Sequence, residues 1–147
     1  MALKQKLLED VKTAMKNKDV IRKNTLQMVR AAVLQVEKDN KVTLYDDGIT
    51  EVIMKELKKR KDVLPDYEKS GRQDLIDGLK TEINVLVEYL PQQMSEQELE
   101  TVIRSVVAEV GATSMKDLGK VMQTVLPKVK GTAEGKTVSE MVRKLLS

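Results

Sequence analysis

The chain has 147 residues, about a third of them charged, with 26 Lys/Arg against 23 Asp/Glu, and it contains no His, Cys, Trp or Phe. Those absences exclude disulfides, a His/Cys zinc site, a cysteine nucleophile and a Ser-His-Asp triad, and they remove the commonest general base near neutral pH. The net charge of +3 is unevenly spread: residues 111–147 hold seven basic residues against three acids, a modest footprint for a polyanionic partner.

Apolar residues recur at helical spacing almost everywhere, and no alternating strand pattern competes, so the expected class is all-α. Leu3, Leu7, Val11 and Met15 mark a first helix. Asp19 is placed to cap a second, whose inner stripe is Leu26, Val29, Val33 and Val36 and which ends at Asp39–Asn40. After a polar connector over residues 40–48, a third helix starts near Gly48 and carries Ile49, Val52, Ile53, Leu57 and Leu64. Pro65 is expected to end or kink it. A break at Ser70–Gly71 precedes a fourth helix with Leu75, Ile76, Leu79, Ile83, Leu86, Val87 and Leu90 as its apolar positions.

Pro91 reads as a boundary, giving an N-terminal helical domain over residues 1–91 and a small three-helix tail domain over residues 92–147. Each tail helix opens on a capping-box pattern: Ser95 with Glu98, Ser114 with Asp117, and Thr137 with Glu140. Gly111 and the glycine-bearing loop 131–135 supply the stops. The apolar stripes are Leu99, Val102, Ile103, Val106 and Val110, then Leu118, Val121, Met122, Val125, Leu126 and Val129, then Met141, Val142, Leu145 and Leu146. The eight methionines read mostly as core filler. No apolar run approaches the ~20 residues of a membrane span, and the N-terminus lacks the apolar stretch of a secretory signal. A cytoplasmic protein without membrane contact is expected.

Candidate sites are few. Gly131-Thr132-Ala133-Glu134-Gly135-Lys136-Thr137 has a superficial likeness to a phosphate-binding P-loop, but only three residues separate the glycines and the segment before it is helical, so nucleotide triphosphate binding is rejected. A weaker reading keeps Gly135 and Lys136 at a helix N-terminus that favours an anion, with Lys128, Lys130 and Gly131 beside it. Lys116 and Lys120 lie four apart on one helix face. Gly119 beside them suggests close approach, of a neighbouring helix before a ligand backbone. The run Lys58–Lys61 reads as a solvated helix face, with Glu56 placed to pair with Arg60. No metal site, cofactor site or catalytic residue is identified. With Tyr45, Tyr67 and Tyr89 as the full aromatic set, stacking on bases is disfavoured.

Several segments together resemble the YqeY family. They are Arg60-Lys61-Asp62, Tyr67 to Leu75, Glu88-Tyr89-Leu90-Pro91 with Met94-Ser95-Glu96, Met115 to Met122, Pro127 to Gly131, and Ala133 to Lys136 with Val138. The tail is similar to the C-terminal tail domain of the GatB component of aspartyl/glutamyl-tRNA amidotransferase, a helical appendage that contacts tRNA. The resemblance implies an N-terminal helical domain, a tail domain and a family label of carbon–nitrogen ligase with glutamine as amide donor. The expected partner is tRNA or a tRNA-bound enzyme complex, contacted through Lys116, Gly119, Lys120, Lys128, Lys130, Gly131, Gly135 and Lys136, with no self-contained active site. The alternative is a protein-interaction adaptor that docks through residues 1–90.

Overall fold

The computed structural model describes residues 2–147, and all its regular structure is helical. The chain forms two compact units, one ending at Leu90 and the next beginning at Pro91. The first contains α1 (Ala2–Lys16), α2 (Val20–Asn40), α3 (Asp46–Ser70) and α4 (Gln73–Val87). The second contains α5 (Glu96–Val110), a 3₁₀ turn at Met115–Asp117, α6 (Leu118–Val129) and α7 (Gly135–Leu146).

The core of the first unit is made by Leu7 and Val11 of α1, Leu26, Val29 and Val33 of α2, Ile49, Ile53 and Leu57 of α3, and Val85 and Leu86 of α4, closed by Tyr89 and Leu90. These are stripe positions, and each buried Leu or Ile contributes about 1.5–3 kcal/mol of transfer free energy. Asp19 caps α2 by accepting the Arg22 amide at 3.2 Å. The Glu37 carboxylate accepts from Lys4 Nζ at 2.7 Å and from the Leu44 amide at 2.8 Å, tying α1 and the polar connector to α2. α3 begins at Asp46, two residues before the position expected from Gly48.

Several expectations fail on side-chain direction. Met15, Leu75, Val87 and Leu126 are exposed although they sit near apolar stripes. None of the methionines among the described residues is buried, so they flank the cores and do not fill them. Pro65 does not end α3, which runs on to Ser70 and stops at Gly71 with φ +70°. Past Arg60 this helix is exposed except for half-buried Leu64, so solvent can hydrate the carbonyl that loses its donor, and the proline is tolerated.

Within the second unit, Leu99, Ile103 and Val106 of α5 pack with Val121, Val125 and Val129 of α6 and Val138, Val142 and Leu146 of α7. The Ser95 cap forms, its hydroxyl accepting the Glu98 amide at 3.1 Å. The other two boxes do not form as expected. Ser114 accepts from the Lys116 amide and Asp117 accepts from the Thr113 amide, because a tight 3₁₀ turn shifts the geometry by one residue. Thr137 and Glu140 make no box: α7 starts at Gly135, so Thr137 already lies inside its first turn. The loop before α7 is set by other contacts. Gly131 adopts φ +80°, its carbonyl accepts from Gln93 Nε2 at 2.8 Å, and the Thr132 carbonyl accepts the Met94 amide at 2.9 Å.

Candidate nucleic-acid interface and a second polar cleft

The basic residues of the second unit fall into two groups. Lys116 lies in the 3₁₀ turn, and Gly119 and Lys120 lie in the first turn of α6. Lys128 and Lys130 stand at the other end of α6, followed by Gly131, Gly135 and Lys136 where α7 begins. Eight residues of helix separate Lys120 from Lys128, a rise of about 12 Å. The two groups therefore span the length of α6.

Their states of engagement differ. Lys116, Lys120 and Lys136 are exposed and form no salt bridge among the described residues. The same holds for Arg143 and Lys144 in the last turn of α7, which add to the positive charge of the tail without belonging to either group. Lys128 is paired with Glu109 of α5 at 3.2 Å. Gly131 is buried and its carbonyl is used by Gln93, so this glycine serves the loop's own geometry. A Cβ added at Gly119 or at Gly135 would meet nothing within 4 Å. Gly119 is thus not required by helix packing, contrary to the expectation from its place in the sequence.

The first unit holds two polar arrangements whose burial and full set of partners the sequence pattern did not show. In one, Arg60 is buried and not part of a solvated face. Its guanidinium reaches the Glu56 carbonyl at 3.0 Å, the Glu56 carboxylate at 3.4 Å and Glu82 at 3.2 Å, with Met28 Sδ at 3.5 Å. The i,i+4 spacing of Glu56 and Arg60 was the available signal. Their burial depends on α4, which brings Glu82, and on α2, which brings Met28.

The other is a cleft of about 340 Å³ lined by α1, the α1–α2 turn, the start of α2 and the end of α4. Tyr89 is buried in its wall and donates its hydroxyl to Asp10 at 2.5 Å. Burial pushes the Tyr89 hydroxyl well above its usual pKa, and the bond to Asp10 reinforces the shift. Arg22 is bound by Glu88 through both terminal nitrogens. Lys6 Nζ stands 5.5 Å from the Tyr89 ring centroid. These residues come from positions 6 to 89, so no local motif announces them. Among the described residues no group of acids is arranged to hold a metal ion, and no helix is long and apolar enough to cross a membrane.

An all-α chain of two helical units, the second carrying exposed unpaired cations, is the class the fold defines. The chain matches the family described as Yqey-like protein over residues 4–146 and belongs to the YqeY family. It is similar to proteins called "Altered inheritance of mitochondria protein 41, mitochondrial" in three fungi. The relative from Pyrenophora tritici-repentis is 23% identical over 144 residues, covering 96% of this chain and 79% of its own length. That from Vanderwaltozyma polyspora is 29% identical over 119 residues, covering 76% of this chain and 64% of its own. That from Kluyveromyces lactis is 33% identical over 84 residues, covering 56% and 45%. The chain thus spans less than two thirds of the last two.

Proposed function

We propose that the second unit binds the phosphate backbone of structured RNA, with tRNA or a tRNA-bound enzyme complex as the partner. The protein would act in the cytoplasm as an accessory module linked by its tail to glutamine-dependent amidotransfer. The supporting observation is that Lys116, Lys120 and Lys136 are exposed and hold no carboxylate, so their charge is available to an external anion. Lys128, Lys130, Gly131 and Gly135 belong to the same proposed surface, with Gly131 acting through the loop. The open flanks of Gly119 and Gly135 leave room for a close backbone approach. The amides at the start of α7 add a partial positive charge there. With three tyrosines and no other aromatic residue, recognition rests on charge and shape and not on bases.

The test is a titration of the full chain with bulk tRNA at several salt concentrations. Neutralising a phosphate contact lowers the salt slope by about 0.7–0.9 per lysine. Lys120→Ala should give close to that change, and Lys128→Ala less, because Glu109 already offsets its charge. Replacing Lys116, Lys120, Lys128, Lys130 and Lys136 together by Ala should abolish most of the salt dependence. A slope unchanged in that variant, or no binding at low salt, would refute the proposal.

A second reading, a protein-docking adaptor, draws on the exposed apolar residues Val63, Tyr67 and Leu75 around the α3–α4 turn. Pull-down with Tyr67→Ser and Leu75→Ser variants separates it from RNA binding. Loss of a captured protein with tRNA affinity intact would favour the adaptor.

A further inference from the structure

Arg60 is buried, its side chain 7% exposed, and its donors are unequally served. Nε donates to Glu82, and Nη1 donates to the Glu56 carbonyl and carboxylate. Nη2 has one acceptor among the described residues, the Met28 thioether sulfur at 3.5 Å. A thioether is a weak acceptor, so the Nη2 end is the least satisfied part of this buried cation. Glu56 lies on the same helix as Arg60, and Glu82 lies on α4, so Met28 is the acceptor that α2 contributes. Met28 is 50% exposed, and a solute as small as hydrogen peroxide reaches its side chain from solvent. Met15 and Met115 are similarly exposed, but among the described residues only Met28 holds its sulfur against a guanidinium.

We propose that Met28 is an oxidation site whose sulfoxide is captured by Arg60. Hydrogen peroxide supplies the oxygen. A sulfur lone pair forms the new S–O bond, the O–O bond breaks, and the departing hydroxide takes a proton to become water. The sulfur is oxidised and the peroxide reduced, and the product is methionine sulfoxide. Its oxygen is a polar acceptor where the thioether was a weak one, and a bond to it from the guanidinium is charge-assisted. The side chain is unbranched and half in solvent, so it has room to withdraw by the width of the added oxygen. Oxidation inside a core disrupts packing. At Met28 it instead adds an acceptor beside a buried cation that is short of one, and it ties α2 more firmly to α3.

The test treats the full chain and its Met28→Leu variant with hydrogen peroxide and locates the sulfoxides by peptide mass mapping. Urea unfolding of the first unit is then followed by tyrosine fluorescence. The variant undergoes the same oxidation at its other methionines, so the difference between the two chains isolates Met28. Treatment is expected to shift the midpoint of the full chain upward by roughly 0.3–1 M relative to its effect on the variant. Reduction by methionine sulfoxide reductases should reverse that shift. Met28→Gln carries an amide oxygen at the same reach as the sulfoxide oxygen. It should show the raised midpoint without peroxide and gain nothing from treatment. A midpoint unchanged or lowered by oxidation of Met28, an equal change in Met28→Leu, or a Met28 that stays a thioether while Met15 and Met115 are oxidised would each overturn the inference.

Discussion

Replacing Glu56 by Ala tests whether the Arg60 cluster holds the first unit together. The Glu56 and Arg60 side chains are 8% and 7% exposed, so removing the carboxylate leaves a guanidinium in a dry site. Breaking such a buried pair costs about 3–5 kcal/mol when no other partner remains. Here the main-chain carbonyl of residue 56 still accepts at 3.0 Å and Glu82 still pairs at 3.2 Å. The expected cost therefore falls to about 2–3 kcal/mol. Removing both charges, as Glu56→Ala with Arg60→Met, should recover part of that loss, because no buried charge is left alone. Lys59→Ala should cost under ~0.5 kcal/mol, since the Lys59 side chain is 74% exposed although it pairs with Glu56. The assay is urea unfolding followed by tyrosine fluorescence. All three tyrosines lie in residues 1–90 and the chain has no Trp, so this signal follows the first unit while far-ultraviolet dichroism follows both. With a urea m-value of about 1–3 kcal/mol/M for a unit of this size, Glu56→Ala should lower the midpoint by roughly 0.7–3 M. A loss below ~1 kcal/mol, or a double variant no more stable than the single one, would refute the argument from desolvation.

Further expectations follow from particular contacts. Gly119→Ala should stabilise the second unit by about 0.5 kcal/mol, since the site is helical and its Cβ would meet open space; thermal melting of α5–α7 reads this. Gly71→Ala should cost about 1 kcal/mol in the first unit through its φ of +70° alone, because its Cβ also meets nothing. The bonds from Lys4 and from the Leu44 amide hold the Glu37 pKa below its ordinary value of 4.5, so their stabilisation is present above that value and is lost as pH falls through the lower folded one. Glu37→Gln should accordingly flatten the acid limb of first-unit stability. Tyr89 shows the opposite sign: its raised folded pKa contributes stability below the unfolded value of about 10, lost as pH rises beyond it. Unfolding of Tyr89→Phe should therefore depend less steeply on pH in the alkaline range.

The helices were legible because their apolar residues recur at a 3.6-residue period, and helix ends such as Asp19, Ser95, Gly71 and Gly111 carry local capping chemistry. The misses have their causes in the packing of the helices. Pro65 breaks the backbone pattern, but its cost depends on whether solvent can reach the helix at that point. Met15, Leu75 and Leu126 fit an apolar stripe only if it is drawn too wide, and the width of the buried face depends on which helices cover it. Thr137 and Glu140 satisfy the spacing of a capping box, yet the contacts of residues 93–94 with residues 131–132 accompany a helix that begins three residues earlier, with Glu134 in the N-cap position.

For the candidate sites the division is similar. The sequence alone determined the all-α class, the unequal charge of the tail and the absence of thiol and imidazole chemistry, since these depend on residue types and short-range spacing. Tertiary structure decided which lysines are unpaired, with Lys128 taken by Glu109 and Lys120 left open. It also buried Arg60 and brought Lys6, Asp10, Arg22, Glu88 and Tyr89 to one cleft. Burial and ion pairing are properties of space shared between helices, and residues tens of positions apart carry no mark of it until the helices pack.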